Sequence, residues 1–245
     1  MTRFKLVIEY DGCGFVGWQR QENGLGVQQS FEDAVFSFSG EKPRVFGAGR
    51  TDSGVHALAQ VAHFDLHGRY SVDTVRDALN FYLKDVPAVV LEVSIVSPEF
   101  HSRFSAIGRS YTYRITNRRA PLAVEKGRSW RLPKHLNELA MHEAAQVLVG
   151  KHDFTSFRAV VCQSDTPVKT IDRLDVKREG DLVLVYAQAR SFLHHQVRNF
   201  VGSLKLVGEG KWSATDLKAA LEARDRRAAG QTAPPDGLYL TGVFY

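Results

Sequence analysis

The sequence predicts an α+β protein of two halves, each an antiparallel sheet packed with helices. Three observations point there. Apolar residues recur at alternate positions in some stretches and at helical spacing in others. In the first 105 residues these stretches take the order β-α-β-β-α-β, and the remainder repeats that plan loosely. Finally, 245 residues at 44% hydrophobic and 24% charged suffice for two ordinary domains or one large one, with a core that requires no disulfide or metal.

Residues 4–10 read as a strand that Asp11-Gly12 ends. Residues 27–38 carry Phe31, Ala34, Val35 and Phe38 on one helical stripe. Residues 44–46 form a short strand running into a Gly-rich turn, and 57–66 are extended. Val75, Leu79 and Leu83 stand at four-residue steps and predict a second helix over 73–83, with a strand after it over 88–96. This order resembles a ferredoxin-like or RRM-like unit. Beyond a boundary near 98–108, residues 110–116 read as a strand. Next comes a helix over 135–149, with Leu139, Ala140, Ala144, Val147 and Leu148 as its expected buried stripe. Residues 169–178 and 182–189 form a hairpin around Glu179-Gly180-Asp181. Residues 192–207 and 213–223 are helical, the second capped by Ser213. Residues 224–236, with Gly and two Pro, are a loop, and 238–245 close as a strand. The expected domains are 1–105 and 106–245, without a visible sequence repeat.

Two cysteines, Cys13 and Cys162, exclude a disulfide scaffold and a Cys-rich zinc site, and favour a reducing compartment. No apolar run approaches the roughly 20 residues of a membrane span, and the apolar stretch near the N-terminus is too short for a signal peptide. A soluble, cytoplasmic protein is expected. The net charge of +5 is unevenly distributed: residues 1–105 hold 10 basic and 13 acidic side chains, residues 106–245 hold 22 and 14. Residues 109–134 are densest, with eight basic side chains against Glu125 alone, interleaved with Tyr111, Tyr113 and Trp130. Cations among aromatic rings suit a polyanion with stackable bases; the alternative is a solvated face without a ligand.

Two Gly-rich segments stand out. Gly12-x-Gly14-x-x-Gly17 comes directly after a strand, but Trp18-Gln19-Arg20-Gln21-Glu22-Asn23-Gly24 does not open the helix that a dinucleotide fingerprint requires. The same stretch loosely matches the aromatic RNA-binding strand of RRM domains, although Asp11 and Cys13 stand where that motif wants a basic residue and a ring. A Gly-rich loop with Phe15 and Trp18 packed inward is the competing reading. The second segment, residues 47–57, turns through small residues that let a substrate approach the backbone. It carries Arg50, Asp52 and His56. A carboxylate there serves as nucleophile or base, kept ionised by the neighbouring Arg, or else it is a turn Asp capping its own backbone.

Together with motifs further along the chain, these segments resemble a family. Tyr10-Asp-Gly-x-x-Phe-x-Gly-Trp-Gln-Arg-Gln-x-Asn23 and Gly47-Ala-Gly-Arg-Thr-Asp-x-Gly-Val-His-Ala57 are joined by Arg109-Ser-Tyr-Thr-Tyr113, Asp153-Phe-Thr-Ser-Phe-Arg158, Phe192-x-His-His-x-Val-Arg-Asn199 and Gly237-Leu-Tyr-Leu-x-x-Val243. In order, and over almost the whole chain, they are similar to the tRNA pseudouridine synthase A (TruA) family. The resemblance implies isomerisation of uridine to pseudouridine at positions 38, 39 and 40 of the tRNA anticodon stem-loop. It further implies a homodimer, no metal or organic cofactor, and two RRM-like halves whose sheets join across a central catalytic cleft. The family's catalytic aspartate falls on Asp52, and its base-stacking tyrosine on Tyr111. Arg50 and Arg198 are then the candidates to keep Asp52 ionised and to position phosphate or base. Arg20, Arg109, Arg118, Arg119, Arg158 and His194 are candidate contacts to the RNA backbone. One departure is visible: Ser110 and Thr112 stand where many relatives carry basic residues.

Other polar groups have plainer readings. If residues 192–207 are helical, His194 and His195 point about 100° apart and form no one-face metal pair, whereas Arg198 comes one turn after His194. His152 and Asp153 read as turn residues, and Phe192, Phe200, Leu204 and Val207 as core. An RNA-binding module without catalysis and an N-glycosidase that releases free uracil are the rival functions.

Overall fold

The computed structural model describes residues 1–245. In chain order the elements are β1 (Thr2–Tyr10), α1 (Val27–Ser39), β2 (Phe46–Gly47), β3 (His56–Leu66), α2 (Val72–Tyr82), β4 (Ala88–Val96), β5 (Gly108–Thr116), β6 (Trp130–Arg131), α3 (Glu138–Ala145), β7 (Gly150–Asp153), β8 (Val168–Glu179), β9 (Leu182–Ala189), α4 (Gln196–Gly208), α5 (Ala214–Glu222) and β10 (Leu238–Phe244). The class is α+β, with mostly antiparallel sheets and five helices. No helix is long and apolar enough to cross a membrane. The chain divides into two compact units, Met1–Ile107 with Tyr239–Tyr245, and Gly108–Leu238. A single cut at 105/106 misses the return of the last strand to the first unit.

In the first unit β1 is central, antiparallel to both β3 and β4. β2 adds a two-residue antiparallel pairing to β3, and β10 lies parallel to β3 through Tyr239↔His56 and Leu240↔Ala57. Phe4, Leu6 and Ile8 alternate onto one buried face, where the Phe4 ring lies 5.8 Å from that of Phe64 of β3; Phe31 and Val35 of α1 and Val75 and Leu79 of α2 are buried as well. Ser71 caps α2 by accepting the Thr74 N–H at 3.1 Å. Gly40 ends α1 at φ 73°, where a side chain would be strained.

The opposite face of that sheet is crossed by the segment after β4. Arg3 grips Asp65 through two 2.7 Å bonds and also donates to the carbonyls of Pro98 and Phe100. Ser102 donates its N–H to His63 Nδ1 at 3.2 Å and its hydroxyl to Phe46 O at 2.6 Å, while the Tyr245 hydroxyl donates to Ser102 O at 2.7 Å. One serine thus joins β2, β3 and the C-terminus.

The second unit has the sheet order β5-β9-β8-β7, all antiparallel, with β6 parallel to β5. The expected hairpin is present: Glu179 pairs with Leu182 across Gly180-Asp181, with Gly180 at φ 59°. Tyr113, Ile115, Leu174 and Val185 are buried with a cluster of Phe154, Phe157 and Phe200, whose centroids lie 5.1–6.4 Å apart. Ser213 and Asp216 form a reciprocal capping box on α5.

Two expectations require correction. Asn137 caps α3 by accepting the Ala140 N–H, so the helix starts three residues later than expected. With that start the buried positions are Met141, Ala144 and Ala145, and then Leu148, and Leu139 is 75% exposed. Likewise α4 begins at Gln196, not at residue 192, with His195 in the left-handed region at φ 64°. The His194 and His195 rings do not diverge on a helix; their centroids are 4.0 Å apart.

His63 makes the first unit acid-sensitive. Burial, then the charges of His101 and Arg3, lower its pKa from 6.5 to about 4. As the pH falls, the folded state therefore takes up the proton later than the unfolded chain does. Stability is full above pH 6.5 and falls as the pH drops towards 4. Between pH 7 and 4.5, urea titration should show wild type losing about 2 kcal/mol more than His63→Gln; parallel losses would mean that His63 does not titrate in this window.

Candidate active site

The loop between β2 and β3 is built from small residues and cannot hold its own shape by side-chain packing. The segment after β1 holds it. Thr51 is buried, and its hydroxyl lies 2.8 Å from the Tyr10 hydroxyl. Its carbonyl accepts the Trp18 N–H at 3.0 Å. Ser53 donates its hydroxyl to Phe15 O at 3.2 Å, and Gly12 N–H donates to His56 Nδ1 at 3.0 Å. From the other side Gln60 of β3, fully buried, donates to Gly49 O at 2.9 Å.

The glycines of both motifs are required by this contact. A Cβ on Gly12 would lie 2.3 Å from Val55 O, and one on Gly47 2.5 Å from the Trp18 indole. Gly17 has φ 112°, and its Cβ would meet Thr51 O at 2.7 Å. Phe15 and Trp18 are 4% and 3% exposed and pack around Tyr10, with centroids 6.1 and 6.4 Å from its ring. The Gly-rich stretch is therefore an inward-packed cradle and not an RNA-binding strand.

Asp52 opens a tight turn, in which Val55 N–H returns to Asp52 O at 3.1 Å and Gly54 takes φ 78°. The turn is closed through the main-chain oxygen of Asp52. Its side chain is half-buried, and Arg50 beside it is exposed. His56 is buried and stacks on Tyr239 at 4.5 Å and 18°. Asp11, Cys13 and His56 bring three potential metal-ligand atoms within 4.8 Å. Two of them are already engaged: Asp11 Oδ1 accepts the Cys13 N–H, and His56 Nδ1 the Gly12 N–H.

In the second unit, Tyr111 on β5 is half-buried, and its ring stands edge-on to Phe192 at 5.3 Å. Tyr113, on the same face, is fully buried and donates its hydroxyl to Pro234 O at 2.8 Å. Burial holds its phenol well above the ordinary value. Arg198 sits in the first turn of α4; its Nε donates to Ala233 O at 2.8 Å, and Ala233 N–H returns to Arg198 O at 3.1 Å. Arg226 anchors the same loop with bonds to Gly230 O, Asn199 Oδ1 and Thr232 Oγ1, each 3.0 Å.

The candidate RNA-backbone residues differ in availability. Arg109 is 9% exposed and donates to Arg190 O at 2.7 Å, which leaves its guanidinium little surface. Arg20 pairs with Glu32 and Asp33 of α1 at 3.3 and 3.2 Å. Arg118 is exposed 3.5 Å from Asp181, and Arg119 is exposed. Arg158 is half-buried, and its charge reaches Asp153. Burial pushes the Asp153 carboxyl up, but its hydrogen bonds to Thr155 outweigh that and hold it below its usual range. His194 accepts the Ala159 N–H through its main-chain oxygen. Sequence reasoning missed Thr51, Tyr10, Ser53 and Arg226. Only the glycine spacing of the two motifs hinted at such close contact.

Comparison with known proteins shows the family of the chain. Residues 6–105 and 144–245 match the family described as tRNA pseudouridine synthase. The chain belongs to that family. Among curated tRNA pseudouridine synthases A, that of Rhodospirillum centenum is 59% identical over 245 residues, all of both chains. That of Sinorhizobium fredii is 57% identical over 247 residues, again all of both. That of Beijerinckia indica is 57% identical over all of this chain and 94% of its own. Among solved structures, a chain in the crystal structure of a Cbf5-Nop10-Gar1 complex covers 97% of this chain and 49% of its own length, at 10% identity and a TM-score of 0.38. As a pseudouridine synthase, the protein places its Gly-rich loop and its cradle within the matched regions.

The cradle has a sharp steric test. Gly12→Ala drives a Cβ into a main-chain carbonyl, where no side chain can rotate away. It should cost about 3 kcal/mol and lower Tm by several degrees. An unchanged Tm would show that the Asp52 loop and the cradle are not in this close contact.

Proposed function

We propose that the protein isomerises uridine to pseudouridine at positions 38, 39 and 40 of the tRNA anticodon stem-loop, with Asp52 as the catalytic carboxylate. The family match over most of the chain carries this reading. The fixed Asp52 loop supports it, since a pure RNA-binding module gains nothing from a rigid carboxylate at an anionic ligand.

The reaction breaks the bond from ribose C1′ to uracil N1, turns the base and joins C1′ to C5. The C5 proton is lost to solvent and N1 gains one, so composition is unchanged and no electrons leave. The chemistry requires neither a redox partner nor a group carrier. An ionised Asp52 attacks C1′, attacks the ring, or removes a ribose proton. Arg50 and Arg198 supply positive charge to the carboxylate, the phosphate or the base. Tyr111, held at its ring edge by Phe192, offers its face to the uracil once the base has left its stack, a step costing a few kcal/mol. Exposed Arg118 and Arg119 contribute sequence-independent phosphate binding. The protein acts as a cytoplasmic homodimer.

Transfer RNA tritiated at uracil C5 separates the alternatives. The wild type should release tritium to water, and Asp52→Asn should lower that release at least 1,000-fold (~4 kcal/mol) while retaining tRNA binding. Full activity in Asp52→Asn would overturn the assignment. Labelled free uracil would indicate a glycosidase, and no release with intact binding would indicate a binding module.

A further inference from the structure

A second constellation in the first unit takes no part in the Asp52 loop. Six rings form a continuous chain: Tyr245, Phe100, His63, Phe46, His101 and Phe104, with successive centroids 4.5–6.1 Å apart. The inner members are fixed. His63 is buried and stacks on Phe46 at 17°, and Ser102 bonds both His63 and Phe46. Three of the rings face solvent: Phe104 is 75% exposed, Tyr245 41% and Phe46 37%.

Each exposed ring has a cation over it. Arg44 lies 5.1 Å from the Phe46 centroid and Arg103 5.6 Å from that of Phe104. Lys5 stands between Phe100 and Tyr245, at 6.0 and 5.6 Å. Of the acids nearby, Asp65 is held bidentate by Arg3, the Glu41 carboxylate accepts the N–H groups of His67 and Gly68, and Glu99 beside Phe100 is exposed. Arg44 and Lys5 make no ion pair. The face therefore offers flat apolar surfaces and positive charge together, on a base that loses little entropy when a ligand docks.

We propose that this face binds an unpaired stretch of the RNA substrate, with bases stacking on Phe46 and Phe104 and phosphates meeting Arg44, Arg103 and Lys5. The proposal rests on the assignment of the protein as a tRNA-modifying enzyme and extends it to a surface outside the catalytic loop. Stacking on rings and cations along a backbone is the chemistry by which single strands are held without sequence preference. β2 begins at Phe46 and leads directly into the Asp52 loop, so the face is joined to that loop through the chain. A second copy of this chain fits the face poorly. A two-fold contact sets a patch against itself, and here it would bring Arg44, Arg103 and Lys5 against a second set of the same three cations, with one Glu99 from each side.

The test uses full-length protein, an unmodified tRNA transcript and oligouridylate, with binding measured by fluorescence anisotropy across a KCl series. Arg44→Gln/Arg103→Gln should bind both RNAs about tenfold more weakly. Its plot of log affinity against log salt should be shallower by about 1.4, the value for two phosphate contacts on a single strand. Phe104→Leu keeps an apolar side chain and loses the ring; it should bind about fivefold more weakly. Light scattering should give the wild-type mass for both variants. Wild-type affinity and slope in the variants would overturn the proposal, and so would a changed mass, which would assign the face to a second copy. The readout is binding and not turnover, so its failure leaves the Asp52 assay standing, and failure of that assay leaves this one readable.

Discussion

Thr51 is held at two points, its hydroxyl by Tyr10 and its carbonyl by the Trp18 N–H, and the position of Asp52 depends on that double grip. A loop of Gly, Ala, Ser and Thr has many conformations and little side-chain mass with which to choose one. The choice comes from a segment more than thirty residues earlier in the chain, pressed so close that Gly12, Gly17 and Gly47 have no room for a Cβ. A carboxylate on such a loop meets its substrate already placed, and the ordering cost falls on folding rather than on catalysis. The two Gly-rich motifs are thus halves of one device.

The second unit achieves similar order by other means. Its loop before β10 is polar and carries two prolines, yet it is bound through main-chain groups. Ala233 exchanges hydrogen bonds with Arg198, Pro234 takes the Tyr113 hydroxyl, and Gly230 N–H donates to Ser203 Oγ. Arg226 bonds only neutral oxygens, and burial lowers its pKa. Gly202 lets the loop touch α4: a Cβ there would lie 1.7 Å from Gln231 O. The arginine suspected of touching substrate is thereby oriented by a segment with almost no regular structure.

Much of the fold was legible because its signals are local. The short apolar runs of β1 and β4, the four-residue steps of α2, the Ser213 cap and the Gly180-Asp181 hairpin each arise from neighbouring residues. Errors arose where a distant contact or a cap overrode periodicity. Leu139 fits a helical stripe on paper, but Asn137 sets where α3 starts and so which side faces inward. His195 looks helical by its neighbours yet adopts the left-handed region as the residue before α4. Arg109 reads as surface charge, but its strand position buries it against Arg190. The candidate site residues came from family resemblance and not from periodicity. Its rigidity was not, since the Tyr10–Thr51 and Phe15–Ser53 bonds join positions that no period links.

The central claim is that this grip presets the loop that carries Asp52, the proposed catalytic carboxylate. Single-turnover tritium release from C5-labelled tRNA, measured for Tyr10→Phe, Thr51→Val and the double variant, tests it most directly. Each substitution removes one side of a single hydrogen bond, worth about 1 kcal/mol. The account predicts that each single variant slows release about fivefold and that the double variant is no slower than either. Wild-type rates in both single variants, or losses that multiply in the double, would contradict it.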